Sequence, residues 1–180
     1  MISIFTNINR YFFHGSTLKQ TEDKEFFLEF PQGFSTDGSK IFRERQNIFR
    51  YLDGHLILID FLDDGAHYFE QMISEMDSNK ITDRKILIDL FSQLFLCLKN
   101  FCYNNPENQK ALFSHLHIIL EYAQYDLGQI NLLCTIFENN HRLLEQIDEK
   151  LIDKILNLIE NEGRQAKFLD FFIVRHLFKH

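Results

Sequence analysis

From Lys40 onward, apolar residues recur at three- and four-residue spacing, the period of a helix that buries one face. Over Lys40–Leu52, Phe42, Arg45 and Phe49 share a side with Leu52, while Arg43, Glu44, Gln46, Asn47 and Arg50 are polar. Gly54 suits the left-handed position beyond a helix end. His55–Leu62 predicts a second short helix stopped by Asp63-Asp64-Gly65, with a weaker helix over Ala66–Asp77 and a polar loop at Ser78–Ile81. Thr82 or Asp83 can cap a long helix that runs to about Tyr103. Its broad face carries Leu87, Leu90, Phe91, Leu94, Phe95, Leu98 and Phe101, and Ile86, Ile88, Leu96, Cys97 and Cys102 widen it nearly all round. A helix apolar on most sides must lie between others, so this one is predicted to be central.

The pattern then shortens. Asn105-Pro106 predicts a restart, because Asn caps and Pro is tolerated at the first helical position. That helix ends near Phe113, and His115–Tyr122 and Leu127–Phe137 follow before Asn139-Asn140 breaks the chain. His141–Ile147 gives a turn or two, Asp148 caps Glu149–Glu162, Gly163 ends it, and Lys167–Phe178 is a last helix with an unmatched apolar side. Met1–Ser39 is less legible. Ile2, Ile4, Ile8, Phe12 and Phe13 suit one short helix, residues 14–24 read as a polar loop, and Phe26-Phe27-Leu28 with Phe30 suits a strand or a helical turn. The expected organisation is a lead-in over residues 1–39 and a helical domain over residues 40–180. Short antiparallel helices with brief Asn-, Asp- or Gly-bearing turns predict an all-α fold, an armadillo-like α-solenoid with no crisp internal repeat.

Composition adds limits. Twenty Phe and no Trp place the aromatic weight on rings without a polar handle, which suits core filling over a ligand cage. A formal net charge of -7 argues against a nucleic-acid partner. Cys97, Cys102 and Cys134 match no zinc spacing and read as small buried hydrophobes of a reducing compartment. No secretory leader is visible, and no apolar run reaches the roughly 18 residues that a bilayer requires. The expectation is a cytosolic segment that does not insert into a membrane.

Candidate chemistry is sparse. His115 and His117, two apart on a helix, point to different sides and make a poor metal pair. His115 reads better as a helix-junction group bonded to the Asn108-Gln109 turn. Asp63-Asp64 and Asp77 lack the glycine and glutamate of a calcium loop. Ser114 beside His115 has no oxyanion motif, and no glycine-rich phosphate cradle occurs. No catalytic residue, metal ligand or cofactor is expected. Asn104-Asn105 and Asn139-Asn140 read as turn residues bonding nearby backbone.

Several markers nonetheless fall in one order: Arg45-Gln46 and Gly54-His55 ahead of an apolar run; Leu98, Phe101 and Cys102; Asn105, Asn108 and Gln109; Leu112 and His115; Ile136-Phe137 with Asn139-Asn140; and Glu160 with Gly163-Arg164. In this the chain, over roughly residues 40–175, resembles the homology domain shared by ryanodine and inositol trisphosphate receptors. The resemblance is to the second copy in the inositol trisphosphate receptors. It implies an armadillo-like helical fold at the cytosolic face of a calcium-store membrane. It also implies partners that are other solenoid segments or subunits of a channel, between whose ligand-binding and pore regions the domain relays conformational change.

In the first copy of that domain, basic residues contact inositol trisphosphate. Arg43 and Arg50 match that pattern, but Asn47 and Glu107 stand where the family has lysines, and Asn105 where it has a tyrosine. Phosphates need donors and positive charge, so this copy is expected not to bind the ligand. Two further readings stand beside the channel module. One is a free-standing soluble armadillo-like adaptor, suggested by an initiating Met1. The other is a weak inositol-phosphate sensor using Arg43 and Arg50.

Overall fold

A computed structural model describes residues 2–12, 17–20, 26–29, 36–74 and 81–154. The element order is α1 (Ile2–Phe12), β1 (Thr17–Gln20), β2 (Phe26–Glu29), α2 (Thr36–Tyr51), α3 (Gly54–Ser74), α4 (Ile81–Cys102), α5 (Pro106–Phe113), α6 (Leu116–Glu121), α7 (Gln129–Phe137) and α8 (His141–Leu144). Residues 149–154 are again helical, and the Asp148 carboxylate accepts from the Leu151 N–H at 2.8 Å, the cap read from the sequence. Among the described residues the fold is all-α apart from one antiparallel hairpin, in which Thr17 faces Glu29 and Gln20 faces Phe26. Phe26–Glu29 is thus a strand, and its partner falls in the stretch expected to be loop. A strand is stabilised only by its partner across the ladder, so Thr-Leu-Lys-Gln read alone carries little strand signal. Phe30, Gly163, Arg164 and the expected helices over 155–162 and 167–178 lie outside the described residues.

α4 is the hub, packed against α1, α2, α3, α5 and α7. It buries Leu90, Phe91, Leu94, Phe95, Cys97, Leu98, Phe101 and Cys102, as its nearly all-round apolar surface requires. Contacts between sequential helices (α2–α3, α3–α4, α4–α5, α6–α7) combine with contacts that skip ahead (α2–α5, α4–α7, α5–α7), consistent with stacked solenoid layers. α1 joins the core through Phe5, whose ring meets Phe61 at 6.1 Å, while Ile4 stays exposed. The Phe-rich composition goes where expected. Phe69 and Phe91 lie 4.6 Å apart, and the Tyr122 ring meets Phe69, Phe91 and Phe95 at 5.6, 5.4 and 5.5 Å. Such pairs each add about 0.5–1.5 kcal/mol beyond area burial.

Asp63-Asp64-Gly65 do not stop a helix. α3 runs without interruption from Gly54 to Ser74, with Leu58, Ile59, Leu62 and Phe69 buried and Asp63 and Asp64 on the solvent side. Packing of that buried stripe outweighs the poor helix propensity of Asp and Gly. Gly65 is there for close approach: a Cβ would sit 2.9 Å from Cζ of the buried Phe91. The left-handed residue before α3 is Asp53 (φ 54), not Gly54. Gly54 opens α3 and leaves room for the Phe49 ring, whose Cε2 would be 2.5 Å from an added Cβ.

On α2 the expected polarity is partly inverted. Phe42 is buried and Phe49 half-buried, but Leu52 is 72% exposed and Gln46 is 0% exposed. A fully buried amide must have partners, and they define the site described next.

Candidate functional site

Two turns are built alike. α4 ends at Cys102, Asn104 takes a left-handed conformation (φ 50), and Asn105 caps α5. α7 ends at Phe137, Asn139 is left-handed (φ 55), and Asn140 stands at the cap of α8. Asn tolerates that region because its short polar side chain can bond locally. Each turn leaves helix-end carbonyls without an intrahelical donor.

A glutamine from another helix fills each. Gln46 of α2 donates through Nε2 to the carbonyls of Asn100 (2.8 Å) and Tyr103 (2.9 Å), and its Oε1 accepts from Asn105 Nδ2 at 3.1 Å. Gln109 of α5 donates through Nε2 to the carbonyls of Thr135 (2.8 Å) and Glu138 (3.0 Å), and its Oε1 accepts from Asn140 Nδ2 at 2.9 Å. Donor, acceptor and position in the turn correspond one for one. The internal repeat that no sequence period discloses is present as a hydrogen-bond pattern. Gln46, Asn105, Asn108, Gln109 and Asn140 are all buried, so these bonds, buried or partly buried, are costly to leave unmade.

The two Asn caps divide their work differently. The Asn105 Oδ1 accepts from the Asn108 N–H at 3.4 Å, with Pro106 at the first helical position, as the sequence predicts. Asn140 makes no side-chain cap bond. Its amide reaches across to Gln109 and to the Pro106 carbonyl (3.5 Å), not to nearby backbone. Asn108 adds a further tie: Nδ2 donates to the Phe101 carbonyl at 2.8 Å, and Oδ1 accepts from Arg50 at 2.8 Å.

The arginines of α2 are therefore engaged with their own fold. Arg43 donates to the Asn104 carbonyl, Arg50 to Asn108, and Arg45 turns to the Tyr11 carbonyl of α1 at 2.8 Å while lying over the Tyr11 ring. Above the turns lies an open groove of about 820 Å³ whose lining includes Lys40, Arg43, Tyr103, Pro106 and Glu138. Its charges are of both signs.

His115 stands at the cap of α6 without a side-chain cap bond, and the amides of Asn108 and Gln109 point elsewhere, to Phe101, Arg50, Thr135, Glu138 and Asn140. His117 is exposed, and the Ser114 hydroxyl donates to the Ala111 carbonyl of its own helix at 3.0 Å. His55 is buried, stacked on Phe101 at 4.9 Å with 14° between the rings, and its Nδ1 has no hydrogen-bond partner. Burial holds its pKa below the ordinary value, against the opposing pull of Asp53, with His115 and Arg50 adding to the lowering. Burial likewise pushes up the Cys102 thiol and the Tyr122 phenol. Among the described residues no group of three or more His, Cys, Asp or Glu is placed to hold a metal.

The RIH-domain profile, that of the homology region of ryanodine and inositol trisphosphate receptors, matches residues 23–174. The chain belongs to the RIH-domain family. The Caenorhabditis elegans inositol 1,4,5-trisphosphate receptor itr-1 is 31% identical over 78 residues, which is 41% of this chain and 3% of the receptor. The chain thus spans a small part of that relative's length. No solved structure matches.

In this RIH domain, the match begins ahead of residue 40 and takes in β2. The markers Asn105, Asn108, Gln109 and Asn140 build the two turns, and Asn139 provides a left-handed residue in one of them. On sequence alone Gln46 is one of several polar residues of α2 and half of the Arg45-Gln46 marker, with no partner assigned. The signal that could have found its role is the repeated Asn-Asn pair, each with a glutamine elsewhere in the chain available to it.

Proposed function

We propose that this RIH domain is a non-catalytic helical module in the cytosolic part of an intracellular calcium-release channel of the inositol trisphosphate receptor kind. In this reading it holds and relays conformational change by helix packing. The observation that carries the reading is family membership over most of the chain together with the similarity to itr-1. The geometry supports it. Buried amides fix successive helices to one another, and a packed core shifts as a body and does not deform in a graded way.

The partner is another helical segment of the same channel. Ile41, Ile48 and Leu52 form an exposed row at i, i+7 and i+11 along α2 and just beyond it, with Tyr51 and Ile57 beside it. Most of itr-1 lies outside the matched segment, which leaves ample chain to cover such a row. The domain sits on this reading at the cytosolic face of the endoplasmic reticulum or a related store. No described helix is long and apolar enough to cross a membrane, so the pore belongs to another part of the channel. Arg43 and Arg50 already donate to Asn104 and Asn108, and Glu107 sits exposed nearby, which supports a copy that does not take inositol phosphate.

An immunoblot of membrane and soluble fractions with an antibody against this chain tests the reading. A microsomal band far above single-domain size is expected. A soluble band near 21.6 kDa would overturn it and favour the free-standing adaptor.

A further inference from the structure

The two glutamine-closed turns are joined through one short helix. Asn105, at the cap of α5, belongs to the turn that Gln46 closes, and Gln109, four positions on, closes the next. Positions four apart lie on the same face of a helix, so α5 carries both on one side. Its eight residues give little room to flex between them. Arg50, bonded to Asn108, adds a second grip of α2 on the same helix.

We propose that α5 is a coupling pin, making the α4–α5 turn and the α7–α8 turn open and close as one unit. If α2 shifts relative to α4, Gln46 either loses the Asn100 and Tyr103 carbonyls or draws Asn105 with it. Drawing Asn105 moves Gln109 out of line with Thr135, Glu138 and Asn140. Every bond in the series is buried or partly buried, so a half-open arrangement leaves polar groups without partners and is disfavoured against fully open or fully closed. The series has two discrete arrangements, which is what transmission between sites requires. The inference deepens the relay reading and rests on it for its purpose. The coupling itself is a property of this chain, so it can fail while channel membership stands, and the reverse.

Native-state hydrogen exchange on the 180-residue chain reads it. The reporting amides at the second turn are Asn140, Leu143 and Leu144, bonded to the carbonyls of Phe137, Asn140 and Asn140 respectively. The reporter at the first turn is Asn105, bonded to the Cys102 carbonyl. Gln46→Met, which keeps length and removes the amide, is expected to speed exchange tenfold or more at Asn105 and equally at Leu143 and Leu144. Gln109→Met is expected to do the same at both turns. Tyr122→Phe, away from both turns, controls for general loss of stability. Faster exchange at Asn105 with Leu143 and Leu144 unchanged would overturn the proposal, as would a joint rise in Gln46→Met no larger, for the same loss of global stability, than the rise Tyr122→Phe produces. Should Gln46→Met fail to fold, Arg50→Met releases α5 at Asn108 alone and is judged by the same two outcomes.

Discussion

The Tyr122 hydroxyl donates to the Leu62 carbonyl at 2.5 Å and so ties the end of α6 to the middle of α3. The carbonyl belongs to a continuous helix, where it also faces the N–H four residues on, so it has a partner even without the phenol. Tyr122→Phe keeps the ring against Phe69, Phe91 and Phe95 and removes only that bond. A loss of about 0.5–1.5 kcal/mol in urea unfolding is expected.

Gly65 lies one turn further along α3 and admits the Phe91 ring. On an exposed helix, Gly→Ala would stabilise by roughly 1 kcal/mol. Here the added carbon meets a ring that is itself buried and cannot swing away. Gly65→Ala is expected to destabilise the chain, with overpacking of about 1–3 kcal/mol outweighing the propensity gain. A raised urea midpoint would show that Phe91 has room to move.

His55 gives the fold a defined response to acid. Its imidazole is held neutral mainly by burial, so the unfolded chain takes up a proton before the folded one as pH falls. Stability is therefore fully present above the ordinary histidine value near 6.5 and declines as pH drops below it. The urea midpoint is expected to fall between pH 7.5 and pH 5.5, and His55→Leu should flatten that decline. An equal slope in the variant would assign it to other groups.

The three thiols should differ in reactivity. Cys97 and Cys102 are buried, with Sγ bonded to the carbonyls of Phe5 and Lys99 at 3.4 Å each, and burial raises the Cys102 pKa. Cys134 is only half-buried. The thiolate is the reacting species, so iodoacetamide at neutral pH is expected to label Cys134 first. Labelling of Cys97 would instead report opening between α1 and α4.

The exposed row on α2 separates stability from assembly. Ile41→Asn and Ile48→Asn remove apolar surface that no described element covers, so the chain's own unfolding should change by under about 0.5 kcal/mol. On the proposed channel reading, the same pair is expected to weaken ligand-evoked calcium release by the intact channel. Calcium release unchanged in store vesicles would remove this row as the packing surface.

Much of this was decided by the sequence itself. The nearly all-round apolar surface of Ile81–Cys102 required a central helix, and Asn105-Pro106 required a helix start, because periodicity and capping are local and each residue type has few places it can satisfy its backbone. The markers that carry the family resemblance were legible as residues in one order along the chain. What only the tertiary structure decided is where polar residues inside those helices find partners. Asp63-Asp64-Gly65 read as a stop until the Phe91 ring occupied the space beside Gly65. Gln46 read only as polar until the ends of α4 came within reach of its amide. A glutamine has the same local propensity on either face of a helix. Whether it is buried depends on carbonyls contributed by residues more than fifty positions away, and only folding brings those together.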